Sequence, residues 1–269
     1  LLTISGPTFL QEAGGNNRVF TLAGTGNTTF SGPITGGPAG NGSFTVTNTG
    51  LTVLAAANTF TGTMTAGAGS VVRLDDANAL PGGVGATGGI GNLTFTNGGI
   101  IGLTAATGTF ARSLGAGPSQ VLFSGTGGFA AFGGDRVVNF GGASGTVAWA
   151  TPTTGLNGQV LALSATAATG MVDVQNPFSL GLMTATVAVA DGSATVDAQL
   201  SGVMSGTGGL TKTGAGLLRL TGQNVFAGAM TVNSGTVQAG VSGTPFGLGT
   251  LTLGNAAGAT IDLNNQNVS

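Results

Sequence analysis

Along the whole chain, apolar residues alternate with Thr, Ser, Ala or Gly in short runs, each closed by Gly, Asn, Asp or Pro. A period of two places successive side chains on opposite faces of a pleat, and Val, Ile, Phe and Thr suit a pleat with one buried face. In the first half this predicts strands at Thr3–Ser5, Val19–Leu22, Phe44–Thr47, Leu51–Leu54, Val71–Leu74, Leu93–Thr96, Val121–Phe123 and Val137–Phe140. In the second half it predicts Val160–Leu163, Met171–Val174, Thr186–Val189, Leu217–Thr221, Met230–Val232, Thr236–Gln238, Leu251–Leu253 and Thr260–Leu263. Strand follows strand too closely for crossover helices. Asn41-Gly42, Asn97-Gly98, Asn157-Gly158 and Asp191-Gly192 read as turns needing positive φ. The pairs Gly36-Gly37, Gly82-Gly83, Gly127-Gly128 and Gly208-Gly209 read the same way.

The pattern repeats over long distance. Residues 43–73 align without a gap on 209–239: Gly50 on Gly216, Leu54 on Leu220, Asn58 on Asn224, Phe60 on Phe226, Gly62 on Gly228, Met64 on Met230, Val71 on Val237. A shorter echo, Asn27–Thr35, resembles Asn58–Thr65 with one residue inserted. A repeat of this kind marks a stacked architecture in which each unit touches only its neighbours. Hairpin-linked sandwiches share the short-strand, Gly-turn texture, but the gapless repeat favours a parallel β-helix. The expectation is therefore an all-β solenoid, one elongated rod over 1–269. Its clearest repeat spans 205–240, a degenerate copy spans 43–80, and irregular rungs fill about 104–200, where a separate inserted domain is the lesser reading. Rungs of roughly 20–25 residues, stacked about 4.8 Å apart, give about a dozen turns and a rod on the order of 60 Å. Asn27, Asn58 and Asn224 share a repeat position; a left-handed corner is the preferred reading over an amide ladder.

Composition sharpens this picture. Of 269 residues, 54 are Gly and only 5% are charged, against about 25% charged in ordinary domains. Gly lacks the three-residue period of collagen. A hydrophobic content of 41% and a mean hydropathy of +0.41 argue against disorder. The net charge is −2 and the chain has one lysine, Lys212, so no basic stripe exists to neutralise nucleic-acid phosphates. Charge this near zero opposes association of copies only weakly. There is no Cys, which excludes disulfides and suits export in an unfolded state. The opening LLTISG lacks a basic, then apolar, leader pattern, and no stretch approaches 18 apolar residues, so no membrane span is expected.

Residues 206–240, GTGGLTKTGAGLLRLTGQNVFAGAMTVNSGTVQAG, resemble the autotransporter-associated β-strand repeat. The matching positions are Gly206, Gly208, Leu210, Lys212, Gly214, Gly216, Leu218 and Leu220, then Gly222, Asn224, Phe226, Gly228, Thr231, Val232, Gly235 and Val237. The resemblance implies a parallel β-helix from a bacterial exported surface protein, often a passenger carried by an autotransporter. No segment reads as the translocator barrel, which would need aromatic girdles, whereas this chain has one Trp and no Tyr. A cleaved passenger piece or a free secreted protein is expected.

Without His or Cys, triad catalysis and His/Cys zinc sites are excluded. The carboxylates are Glu12, Asp75, Asp76, Asp135, Asp173, Asp191, Asp197 and Asp262. Glycoside hydrolysis needs two of them across a bond; Asp173 and Asp197 are the candidates, should rung lengths let them stack. Asp75-Asp76 read as turn caps, Asp135-Arg136 as an exposed charge pair, and Trp149 as packing. Gly206-Thr-Gly208 and Gly67-Ala-Gly69 open no helix, so phosphate-loop readings fail. No catalytic, cofactor or metal residue is assigned. The expected role is a non-enzymatic extracellular structural solenoid that self-assembles into fibres or a surface layer, end to end. An adhesive passenger segment, meeting a cell surface or glycan, is the alternative, and a polysaccharide-active enzyme the lesser one. No nucleic-acid partner is expected. The expected location is extracellular or on a bacterial outer surface.

Overall fold

A computed structural model describes residues 1–10, 17–36, 42–254 and 258–269. Every strand pairing between its named strands is parallel. The chain winds as a coil whose first side is an eleven-stranded sheet. In order this sheet holds Leu2–Ile4, Thr28–Phe30, Leu51–Leu54, Val71–Leu74, Gly99–Leu103, Gly127–Ala131, Leu161–Leu163, Ala185–Val189, Leu210–Thr213, Met230–Val232 and Leu251–Leu253. A second side is the six-stranded sheet that starts at Arg136–Val138 and runs through Val172–Val174, Ala198–Leu200, Leu217–Leu220 and Thr236–Ala239 to Thr260–Asp262. In the N-terminal half this side is represented by the pair Thr8–Phe9 and Ile34–Thr35. The third side begins as another six-stranded sheet containing Val19–Leu22, Ser43–Val46, Met64–Ala66, Leu93–Phe95, Gln120–Phe123 and Ser113–Leu114. It continues as Val147–Ala148, Phe178–Ser179 and Met204–Ser205.

Parallel register turns the alternating pattern into columns. Inside, Thr28, Thr52, Val72, Ile101, Phe129, Leu163 and Val189 stack on the first side. Val172, Ala198, Leu218, Val237 and Ile261 stack on the second. Phenylalanines fill the axis: Phe44 lies 5.4 Å from Phe30 and Phe95 4.9 Å from Phe123. Trp149 is fully buried against Phe178 at 5.3 Å, and its Nε1 donates to the Gln159 carbonyl. Threonines form outward columns, Thr186–Thr211–Thr231–Thr252 on the first side and Thr21–Thr45–Thr65–Thr94 on the third. Hydroxyls thus hydrate a surface almost without charge.

Rung length varies more than expected. Leu51 pairs Val71 and Leu210 pairs Met230, twenty residues on in each case, whereas Gly127 pairs Leu161, thirty-four residues on. The short rungs lie inside the two sequence copies. The copies do not occupy the same sides. Ser43–Val46 and Met64–Ala66 belong to the third side, while their aligned counterparts Leu210–Thr213 and Met230–Val232 belong to the first. The repeat is a device of the rung itself, rotated by one side between its copies.

Asn58 and Asn224 show what that device is. Asn224 Oδ1 accepts the Met204 N–H of the preceding rung at 2.8 Å, and its Nδ2 donates to the Pro245 carbonyl of the next at 2.5 Å. Asn58 does the same with the Ile34 N–H at 2.7 Å and the Ala79 carbonyl at 2.6 Å. Both are buried. The expected left-handed corner is not found, because neither residue has positive φ. The amide instead stands in for backbone and ties three rungs together. Asn27 does not share this place: it is exposed and its Oδ1 accepts the Leu51 N–H. Asn27 precedes Thr28–Phe30 of the first side, whereas Asn58 follows Leu51–Leu54 of the same side.

The strands missed from sequence include Thr28–Phe30, Met64–Ala66, Ala198–Leu200 and Leu210–Thr213. Gly99–Leu103 and Gly127–Ala131 are the longest of them, so Gly127-Gly128 is strand rather than turn. Asn97-Gly98, Asn157-Gly158 and Gly82-Gly83 adopt the expected positive φ, whereas Asp191-Gly192 and Gly208-Gly209 do not. Gly208 is required by close approach: a Cβ there would lie 1.8 Å from the Met183 carbonyl oxygen. Asn41 and Gly37 lie outside the described residues.

Two cations are interior. Arg112 is fully buried and donates to the carbonyls of Pro81, Gly83 and Gly91, pinning the long loop before Leu93–Phe95. Burial pushes its pKa down to about 10. Lys212 points inward from Leu210–Thr213, and its Nζ donates to the carbonyls of Thr213, Gly214 and Ser234 at 3.2, 2.6 and 3.0 Å. Burial pushes its pKa down to about 8, against a smaller upward pull from Asp197. Buried charges need such partners, because an unpaired polar group in an apolar interior costs several kcal/mol.

Candidate functional site

In a chain this poor in charge, the place where exposed charges gather is the first place to look for function. They gather on the second side and on the corner joining it to the first. Strand register places Asp173, Gln199, Arg219, Gln238 and Asp262 in one outward column. Arg219 Nε donates to Gln238 Oε1 at 2.7 Å, and Gln238 Nε2 donates to Asp262 Oδ2 at 2.7 Å. Those bonds and the Asn264 N–H hold the Asp262 carboxyl below the usual carboxylate range. Asp173 Oδ2 accepts a long bond from Gln175, while its Oδ1 is buried without a partner.

Two hollows flank the loop 132–136. One, about 450 Å³, is lined by Asp135, Thr169–Met171, Ser193–Val196 and Arg219. The other, about 460 Å³, lies on the corner and is lined by Arg73, Asp75, Thr104–Ala106, Phe132, Gly133 and Arg136. Its floor has an unusual cause. Phe132 folds out of the coil and lies on the outer face of the first sheet, over Gly102, where any Cβ would come within 2.5 Å of the ring. Ile100, Ala130, Ala165 and Ala168 complete a small apolar cluster outside the main core. Arg73 lies over the Phe132 ring at 5.7 Å and grips Asp75 through Nε and Nη2 at 2.8 and 2.6 Å. Cation–π contact and a bidentate pair together fix the guanidinium.

The expected site residues fall as follows. Asp75 is an ion-pair partner of Arg73, not a turn cap; Asp76 does cap a turn, accepting the Asn78 N–H at 2.7 Å. Asp135 and Arg136 do not pair through their side chains. Asp135 Oδ1 accepts the Met171 N–H, and Arg136 donates to the backbone carbonyls of Asp135, Phe132 and Gly133. Asp173 and Asp197 do not stack. Val172 pairs Ala198, so Asp173 stands opposite Gln199, two residues beyond Asp197, which precedes the strand. Asp197 is buried, its oxygens accepting the N–H groups of Gly192 and Leu217. Asp191 is exposed, and Glu12 lies outside the described residues. Among the described residues no group of three or more His, Cys, Asp and Glu side chains could hold a metal ion, and no helix is long and apolar enough to cross a membrane. The Arg73–Phe132–Arg136 corner was not anticipated from sequence; its parts are far apart along the chain, and only the rung lengths bring them together.

The passenger-associated-transport-repeat family model matches residues 210–239. Over 98 residues the chain is 39% identical to the adhesin BmaC autotransporter of Brucella suis biovar 1 (strain 1330); the match covers 36% of this chain and 3% of that protein. The chain thus spans a small fraction of its relative's length. No solved structure matches it. The chain carries an autotransporter passenger repeat, and the likeness places it among secreted, cell-surface proteins.

Proposed function

We propose that this chain is a rod-forming segment of an adhesive passenger, displayed outside the bacterial cell, which acts by binding and not by catalysis. The observation that carries the reading is the likeness to an autotransporter adhesin over 98 residues, together with the passenger repeat at 210–239. The geometry is in keeping with it. A coil of stacked rungs offers long, rigid, uncharged threonine columns interrupted by one charged corner. The carboxylates considered for glycan turnover, Asp173 and Asp197, do not pair in the strand register, and Asp197 is buried with its oxygens held by the Gly192 and Leu217 N–H groups.

Self-association end to end is the second reading. In its favour, a net charge of −2 over 269 residues sets little repulsion between copies. Beads coated with the purified chain test the first reading. They are expected to be retained on host cells or extracellular matrix, and to compete with soluble chain that sediments as a monomer. Retention no greater than that of uncoated beads, or sedimentation as long filaments only, would overturn it.

A further inference from the structure

We propose that the corner hollow beside Arg73 and Arg136 is a binding site for the anionic group, carboxylate or sulfate, of an acidic saccharide. The inference rests on the adhesive reading for its saccharide class and on geometry for its charge. Two guanidinium groups open on one hollow of about 460 Å³, within the range of small-ligand sites. Each has an unspent donor. Asp75 occupies Nε and Nη2 of Arg73 and leaves Nη1 without a partner among the described residues. Arg136 spends Nη1 and Nη2 on loop carbonyls, while its Nε is buried and unbonded.

The charge is unbalanced at the same place. Asp75 is matched by Arg73, and among the described residues no carboxylate forms an ion pair with Arg136. The nearest acid in sequence, Asp135, turns its carboxylate to the Met171 N–H and lines the neighbouring hollow. An anion is therefore the ligand that completes the corner. Guanidinium forks match carboxylate and sulfate geometry, and the bond is charge-assisted. The scale is that of one anionic group. Two arginines with no lysine nearby do not track a polyphosphate backbone, which needs a run of cations. The remaining walls, Ala105, Ala106 and Gly133, are small, and the Thr104 hydroxyl is occupied by the Leu74 carbonyl. They leave room for a sugar ring without selecting one. Arg73 is held before any ligand arrives, by Phe132 beneath and Asp75 beside it, so little ordering is needed on binding.

Calorimetric titration of the whole chain tests this with trigalacturonate as the carboxylate probe, a heparin tetrasaccharide as the sulfate-rich probe and maltotriose as the neutral one. At least one acidic probe is expected to bind one to one and to weaken with added salt; maltotriose is not. Which acidic probe binds identifies the anion. Arg136→Gln and Arg73→Gln should each weaken binding by about tenfold or more, the scale of one lost charge-assisted bond. Arg219→Gln, in the adjoining hollow, should bind as the parent chain does. Circular dichroism and the thermal midpoint of each variant establish that the coil is intact. No binding of either acidic probe at millimolar concentration would overturn the proposal. So would equal binding of maltotriose, or unchanged affinity in a folded Arg136→Gln chain. The two readings part cleanly: bead retention that survives in Arg73→Gln/Arg136→Gln removes this site from adhesion but leaves the adhesive reading. Saccharide binding without retention does the reverse.

Discussion

Replacing Asn224 with alanine is expected to lower the stability of the coil by about 2–6 kcal/mol, the cost of stranding two buried backbone groups at about 1–3 kcal/mol each. The groups are named by the structure. Met204 N–H would lose its acceptor, and the Pro245 carbonyl would lose its donor. The Asn224 backbone N–H, bonded to the Thr244 carbonyl at 3.0 Å, is untouched by the change. No water can replace the amide without entering a fully buried corner. Asn58→Ala should behave alike, because Ile34 N–H and the Ala79 carbonyl stand in the same relation to it. Asn27→Ala should cost far less, since Asn27 is exposed and bonds only to the Leu51 N–H. Urea unfolding of the three variants checks the order. Equal losses at Asn27 and Asn224, or a loss at Asn224 below about 0.5 kcal/mol, the scale of an ordinary surface change, would refute the bridging role.

Stability should also climb with pH through the titration of Lys212, and the sign follows from proton counting. In the unfolded chain the amine keeps its proton up to its ordinary pKa of 10.5, whereas in the fold burial pushes that value down to about 8. Between those limits the unfolded chain binds more protons, so raising the pH favours the fold. Each unit of displacement corresponds to about 1.4 kcal/mol, so the whole rise is of order 3 kcal/mol. Arg112, pushed down to about 10, adds only at the top of this range. Below pH 8 the coil holds a charged amine among the carbonyls of Thr213, Gly214 and Ser234, with the Asp197 carboxylate supplying opposite charge. Lys212→Met removes the titrating group. Its unfolding free energy should stay flat between pH 8 and 10 while that of the parent chain rises. A flat parent profile, or the same rise in both chains, would show that the amine does not titrate in the interior.

Much of this fold is legible because its code is local. Val71–Leu74 and Met230–Val232 are short β-branched and apolar runs closed by Asp75 and Asn233, so both were readable to the residue. Gly99–Leu103 and Gly127–Ala131 were not. Their glycines look like turn residues, and the need for them arises only from neighbours: Phe132 over Gly102 and the Ala162 carbonyl against Gly128. The same limit hid the asparagine bridges. The shared position of Asn58 and Asn224 was visible, but what each side chain bonds depends on the rung before and the rung after. The charged corner lay further from reach. Arg73 and Phe132 are 59 residues apart and meet only because the intervening rungs measure twenty-nine and twenty-eight residues, Val71 to Ile100 and Ile100 to Gly128. Rung length is set by loops, and loops carry little periodic signal.

The parallel stacking of rungs can be tested by cross-linking, since a chain without Cys accepts paired cysteines unambiguously. Thr211 pairs Thr231 and Thr231 pairs Thr252 in the outward column of the first sheet. Neighbours in such a column stand about 4.8 Å apart, inside the window for a disulfide, and next-but-one residues stand about 10 Å apart, outside it. Mass spectrometry after mild oxidation should find near-complete bridging in Thr211→Cys/Thr231→Cys and in Thr231→Cys/Thr252→Cys, and none in Thr211→Cys/Thr252→Cys. Bridging of the outer pair, or its absence from both inner pairs, would contradict the coil.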